Sequence, residues 1–265
     1  NSGPDAGTAS IPICDKTGQL PLSYGQQQLW FLEQLESGTA AYVFTNAVHL
    51  SGPLNVKALE QALNEIVKRH AILRTRHTSD NGRPAQVIMP ALELALHAVD
   101  LRSLAEPEKK SKADELTRVE GQTPFDIANE ALIRVKLLRL EDRRYTMLLT
   151  LHHIVYDGWS LAIFFRELGD GYRAYADGKT PALPELSIQY ADYAKWQRDR
   201  INNETSRTQL EYWKKKLGGT LPVLSLPTDR PRPSVQRYNG ALQPMTLPVP
   251  LMEALTEFSQ REGCT

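Results

Sequence analysis

Two hydrophobic periods alternate along the chain and predict its elements. Between Asn55 and His70, Val56, Leu59, Leu63, Ile66 and Val67 recur at helical spacing. That segment closes in Lys68-Arg69-His70, cations suited to a helix C-terminus. Ser160 to Ala176 is a second helix, with Leu161, Phe164, Phe165, Leu168 and Tyr172 on its core-facing side. Pro21 to Gln34 is a third: Ser23 with Gln26 makes a capping-box pattern, and Leu29, Trp30 and Leu32 give the apolar face. Ser103 to Gly121 is a highly charged helix, and Gln189–Arg200, Arg207–Leu217 and Leu251–Arg261 complete the set. Strands are expected at Tyr42–Leu50, Ile72–His77, Gln86–Met89, Leu92–Val99 and Gln243–Val249, with a turn at Asp80-Asn81-Gly82. Leu132–Leu140 and Tyr145–His153 form a hairpin across Glu141-Asp142-Arg143-Arg144. The second of these strands is almost wholly apolar, as a strand covered on both faces must be.

Strands and helices alternate without strict βαβ regularity, which predicts an α/β (α+β) unit, a mixed open sheet flanked by helices. Residues 20–217 form that unit, with residues 1–19 read as a linker or tag. Residues 218–265 open with the proline-rich stretch Leu221–Pro233 and look like the start of a second unit. Composition adds only exclusions. Lys+Arg and Asp+Glu are both 31 in a chain of 265 residues, so nothing in the charge balance points to nucleic acid. No apolar run approaches a membrane span and no signal-peptide pattern is present. Cys14 and Cys264 stand alone, which argues against a disulfide framework or a zinc site and for a reducing cytoplasm.

The candidate chemistry lies at Leu148–Ser160, Leu-Leu-Thr-Leu-His-His-Ile-Val-Tyr-Asp-Gly-Trp-Ser. Adjacent residues of a strand point to opposite faces, so His152 and His153 cannot both reach one substrate. One is expected to bond into the fold and the other to face a cavity. A neutral imidazole accepts a proton near neutral pH. Gly158 permits close backbone approach or a positive φ. The helix N-terminus after it offers N–H donors to a developing oxyanion, and Asp157 can cap that helix or pair with an arginine. Base and donors together suit acyl transfer. The same pair also fits a packed core. Gly158-Trp159-Ser160-Leu161-Ala162 departs from the hydrolase nucleophile elbow at Ala162 and falls at a helix start, which argues against Ser160 as nucleophile.

His152-His153-Ile154-Val155-Tyr156-Asp157-Gly158 resembles the His-His-x-x-x-Asp-Gly motif of the condensation domains of nonribosomal peptide synthetases. Three further segments resemble motifs of that family in the right order: Ser23-Tyr24-Gly25-Gln26-Gln27-Gln28-Leu29-Trp30, Arg69-His70-Ala71-Ile72-Leu73-Arg74-Thr75, and Tyr190-Ala191-Asp192-Tyr193-Ala194-Lys195-Trp196-Gln197. Leu226-Pro227-Thr228-Asp229-Arg230-Pro231-Arg232-Pro233 resembles the stretch between the family's two lobes.

The resemblance implies a chloramphenicol-acetyltransferase-like fold, two lobes in a V with the histidine motif at their junction. This chain would be the N-terminal lobe (20–217) and the inter-lobe linker with the start of the C-terminal lobe (218–265). It implies amide formation between an upstream aminoacyl or peptidyl thioester and the amine of a downstream aminoacyl thioester. Both are carried on phosphopantetheine arms of peptidyl carrier proteins, beside an adenylation domain, with no metal or other cofactor held by the domain and no membrane or nucleic-acid partner. By the same resemblance His153 is the catalytic position, as general base or as the group that orients the amine. His152, Asp157 and Gly158 are then structural, with Gly158 placing its N–H on the tunnel. Asp157 is expected to pair with Arg74, or failing that with Arg69. Ser23, Gln27, Trp159 and Ser160 are the tunnel candidates. Ala71 and His77 depart from the family's usual glutamate and aromatic residue.

Alternatives stay open. Epimerisation domains share the motif, although they typically continue Val-Ser-Trp after the glycine where this chain has Trp159-Ser160. Cyclisation domains replace the histidines with aspartates. A half-domain could also serve only to dock carrier proteins. The Arg69-His70 and Leu73-Arg74-Thr75 segment looks like domains that take an L-configured donor.

Overall fold

The computed structural model describes residues 10–80, 82–201, 204–231, 233–234 and 243–264. The segment 1–9, Asn81 of the expected turn, and Arg232 and residues 235–242 around the proline-rich stretch lie outside the described residues. Contacts divide the chain into Asn1–Leu221 and Pro222–Thr265.

The first unit is built on β7 (Arg144–His152), in which every residue after Arg144 is buried. It pairs antiparallel with β2 (Val43–Ser51) on one side and with β6 (Ile133–Glu141) on the other. β5 (His97–Asp100) adds to β6 in parallel, giving a mixed sheet of order β2-β7-β6-β5. The pleat sends alternate residues of β7 to opposite faces. Met147, Leu149 and Leu151 join the large apolar cluster with Leu59, Leu63 and Ile66 of α2 (Val56–Arg69) and Phe164 and Leu168 of α4 (Gly158–Ala176). Leu148 faces the other way, into a smaller cluster with Leu101 and Leu138 under α3 (Glu106–Gln122). α2 and α4 approach closely because Gly171 has no side chain: a Cβ there would sit 3.2 Å from Cβ of Ala62.

A second, three-stranded sheet has the order β1-β4-β3, with β1 at Leu20–Pro21, β3 at Thr75–Asp80 and β4 at Arg83–Ile88. The expected capping box starts α1 (Tyr24–Leu35), Ser23 accepting from Gln26 N while the Gln26 side chain returns to Ser23 N. α5 (Tyr190–Ile201) and α6 (Glu204–Leu217) follow, and α7 (Val249–Arg261) belongs to the second unit. No helix among the described residues is long and apolar enough to cross a membrane.

The elements differ from expectation in four places. The strands form two sheets and not one. Ile72–Arg74 belong to a 3-10 turn, Ala71–Arg74, so the strand begins only at Thr75. Of the expected strand Leu92–Val99 only His97–Val99 pair, in β5; residues 92–96 are irregular, with Asn64 of α2 bonding Leu94 N and O and Glu60 accepting from Leu96 N. Gln243–Pro248 is irregular and leads directly into α7, whose first turn carries a proline. The expected linker is also anchored over residues 14–16, where Cys14 N donates to Asp192 Oδ1 at 2.8 Å and Lys16 Nζ lies 2.9 Å from the same oxygen.

Candidate active site

β7 ends at His152, and the chain turns through His153–Asp157 into α4. The two histidines separate as the strand geometry requires. His152 is 1% exposed. Its Nδ1 accepts from Ile154 N at 3.1 Å, so its proton sits on Nε2, which donates to Glu33 Oε1 of α1 at 3.1 Å. His153 lines a cavity of about 720 Å³, within the range of small-molecule sites. Its main-chain N–H donates to Tyr42 O at 2.9 Å, which continues the β2–β7 ladder by one residue. Its Nδ1 lies 2.8 Å from Tyr156 O; a carbonyl only accepts, so Nδ1 carries the proton. Nε2 is then left with a lone pair. The neighbouring rings therefore hold opposite tautomers, each set by the bond at the other nitrogen. The rings of Phe44 and Tyr156 stand 5.3 and 5.6 Å from the His153 ring and wall it on two sides.

The cavity is closed by Gln28 and Leu32 of α1, by Tyr156 and Ser160, and by Gln189 and Tyr190 at the start of α5. Several bonds fix these walls. Ser23 Oγ and Tyr190 OH are 3.0 Å apart, and Arg198 holds Leu22 O at 2.7 Å while stacking on the Tyr24 ring at 3.9 Å. Gln189 bridges Ala71 N and Arg69 O, tying the second motif to α5. His70 reaches the cavity with Nε2 on Glu167 Oε2 at 2.7 Å. Burial pushes the Tyr156 hydroxyl up to about 12, with Asp157 adding to the shift, so this group stays protonated at neutral pH.

Asp157 caps α4. Its carboxylate accepts from Ser160 N at 2.8 Å and from the Ser160 hydroxyl, and these bonds, first the hydroxyl's, hold its carboxyl below the usual carboxylate range. This overturns the expected pairing with arginine. Arg74 donates to Met89 O and borders a separate surface groove beside Leu92. Arg69 pairs with Glu167, 3.2 Å away. Of the main-chain donors at the start of α4, Ser160 N is taken by the Asp157 carboxylate. Gly158 begins α4 without a positive φ, and a Cβ on it would meet nothing within 4 Å.

Of the four tunnel candidates only Ser160 lines the cavity. Ser23 is buried as a cap and as the partner of Tyr190, Gln27 is taken by Arg198, and Trp159 is 84% exposed on the outer side of the first turn of α4. His77 is fully buried in β3 and accepts from Gln26 Nε2 at 3.1 Å. Burial, reinforced by His152 nearby, lowers its pKa to about 3, so it remains neutral. Sequence reasoning missed Glu33, which is buried on the same helix as Gln26. Their spacing of seven residues, two helical turns, puts two polar groups on one face of α1, which was the available signal.

A model of the condensation domain family matches residues 16–265. The chain is 46% identical over 255 residues to one of the subunits of the linear gramicidin synthase of Brevibacillus parabrevis, covering 96% of this chain and 3% of that protein. It is 38% identical over 263 residues to phosphinothricin tripeptide synthetase PhsC of Streptomyces viridochromogenes, covering 99% and 24%. Among solved structures, the X-domain from teicoplanin biosynthesis in complex with OxyB superposes with a TM-score of 0.74 at 28% identity, over 86% of this chain and 50% of that one. The first condensation domain of the calcium-dependent antibiotic synthetase gives 0.67 at 25%, over 76% and 48%. The chain thus spans a small part of the synthetases it matches and about half of the solved domains. With the histidine motif at the end of the central strand and the family match running from Lys16 to the last residue, the chain belongs to the condensation domain family of nonribosomal peptide synthetases.

Proposed function

We propose that the chain carries the histidine-bearing half of a site for amide bond formation between two carrier-bound substrates. The donor is an upstream aminoacyl or peptidyl thioester, L-configured at its reacting residue, and the acceptor is the amine of a downstream aminoacyl thioester. Phosphopantetheine arms of peptidyl carrier proteins deliver both, with an adenylation domain beside them, and the domain itself holds no cofactor. The observation that carries this reading is the 2.8 Å contact of His153 Nδ1 with Tyr156 O: a carbonyl takes the proton of Nδ1, so in the neutral ring Nε2 is the acceptor, on a residue that lines the cavity.

In this reading the amine nitrogen attacks the thioester carbonyl carbon. The C–N bond forms, the C–S bond breaks, and the proton lost from nitrogen passes to His153 Nε2 and then to the departing thiolate. An α-amino group has a reference pKa of about 7.7–8.0, so at neutral pH a good part of it is protonated and a positioned acceptor is useful. The rings of Phe44 and Tyr156 pack on the imidazole and on each other.

The test is product analysis of the intact synthetase with defined carrier-bound donor and acceptor. A dipeptidyl thioester on the downstream carrier supports the reading. A stereoinverted donor without a new amide identifies epimerisation, and unchanged substrates with carrier binding identify a docking module; either outcome removes it.

A further inference from the structure

The two histidines are joined by a route that begins on α1. Glu33 is 6% exposed and lies 3.1 Å from His152 Nε2. With that nitrogen's proton held, His152 Nδ1 must present its lone pair, and it receives the N–H of Ile154 at 3.1 Å. Val155 N, in turn, donates to His152 O at 3.0 Å. These two bonds close the turn after β7. The turn places Tyr156 O on His153 Nδ1 at 2.8 Å, and in the neutral ring that contact puts the proton on Nδ1 and the lone pair on Nε2.

Each link has a definite direction of donation, and none can be reversed alone. If His152 carried its proton on Nδ1, that proton would oppose the Ile154 N–H. If Tyr156 O moved away, the neutral His153 would return to the Nε2–H tautomer that histidine favours in water, with its lone pair on Nδ1. Glu33 is therefore placed to decide a proton position at a ring it does not touch. Its packing explains why it can. The Phe125 ring lies edge-on to His152, with centroids 6.3 Å apart, and the neutral His77 is close by. The hydrogen bond of His152 Nε2 to Glu33 is the one that this nitrogen makes among the described residues.

We infer that Glu33 is a positioning residue for the reaction proposed above: through His152 and the 154–156 turn, it holds His153 in the Nδ1–H tautomer. The inference rests on the assignment of His153 as proton acceptor for its importance, but its geometry is tested independently of activity.

The experiment records imidazole 15N–1H correlations of the full chain at neutral pH, with histidine labelled and His152 and His153 assigned by substitution. The wild-type chain should show His152 as Nε2–H and His153 as Nδ1–H; finding both rings in the same tautomer overturns the inference. Glu33→Met keeps side-chain length and removes the acceptor, and should convert His153 wholly or partly to Nε2–H while circular dichroism stays unchanged. Glu33→Gln keeps a carbonyl acceptor and should restore the wild-type pattern. Should Glu33→Met not fold, Glu33→Asp, which withdraws the carboxylate by one methylene, should give the same conversion in a folded chain. A folded Met or Asp variant with His153 still fully Nδ1–H overturns the inference. In the intact synthetase the Met or Asp variant should lose at least tenfold in kcat with little change in KM. If His153→Ala left product formation untouched, the catalytic reading would fail while the tautomer result stood.

Discussion

Replacing Asp157 separates its role as a helix cap from any role as a charge. Its carboxylate accepts from Ser160 N at 2.8 Å and from the Ser160 hydroxyl, and among the described residues it forms no ion pair with an arginine. Loss of an aspartate cap costs about 0.5–2 kcal/mol. Asp157 is exposed, so Asp157→Ala is expected near the lower half of that range, about 1 kcal/mol. For a unit of this size that lowers the melting temperature by about 2–4 °C. Asp157→Asn keeps an oxygen that can cap and should lose only a few tenths of a kcal/mol, because asparagine caps about as well as aspartate. The pH dependence has a definite sign. The folded-state pKa of Asp157 is lowered, so its ionised form adds stability above the ordinary carboxylate pKa, and that contribution disappears as pH falls through the lowered value. The gap between wild type and Asp157→Asn should therefore be present at neutral pH and close under acid conditions. Urea titrations of the three chains from pH 7 down to pH 3 measure it. An Asn variant as unstable as the Ala variant, or a gap that widens on acidification, would refute the capping account.

Other expectations follow from the packing and the corrected pairings. Leu149→Ala empties a fully buried site on the α2/α4 face of β7 and should cost about 2–5 kcal/mol in urea unfolding. Arg74→Ala combined with Asp157→Ala should be additive to within about 0.5 kcal/mol, since the two share no contact; a larger coupling energy would restore the ion pair that the structure lacks. Glu167→Leu leaves Arg69 and His70 without their carboxylate and should destabilise the chain, whereas Glu167→Gln, which keeps an acceptor, should cost less in the same titration.

The regular parts of this fold were legible because burial imposes a period. The continuous apolar run of β7, the 3.6-residue stripe of α2 and the Ser23–Gln26 capping box each follow from one local rule, and each stands where the pattern put it. The separation of His152 from His153 was also legible, since a strand allows nothing else. What was not legible depends on contacts between distant segments. Leu92–Val99 alternates like a strand, yet only its end pairs with β6, because Asn64 and Glu60 on α2 take up backbone groups of residues 94 and 96. Asp157 could cap the helix or pair with an arginine, and the family resemblance pointed to Arg74; the donors that take it are local, three residues away. Of the neighbours Trp159 and Ser160, helical geometry puts only Ser160 on the cavity that His153 lines and leaves Trp159 exposed. Glu33 could be read only as a polar group on the same face of α1 as Gln26; its partner, 119 positions away in sequence, could not be read at all.

The central claim is that His153 Nε2 is the proton acceptor of amide formation. It is tested most directly by single-turnover dipeptide formation in the intact synthetase, with carrier-bound donor and acceptor already loaded, comparing wild type with His153→Ala. General-base catalysis contributes about 10²- to 10⁴-fold, so the account predicts a loss of that order in the rate of amide formation, with carrier binding unchanged. A His153→Ala enzyme that forms the dipeptide at the wild-type rate would contradict it.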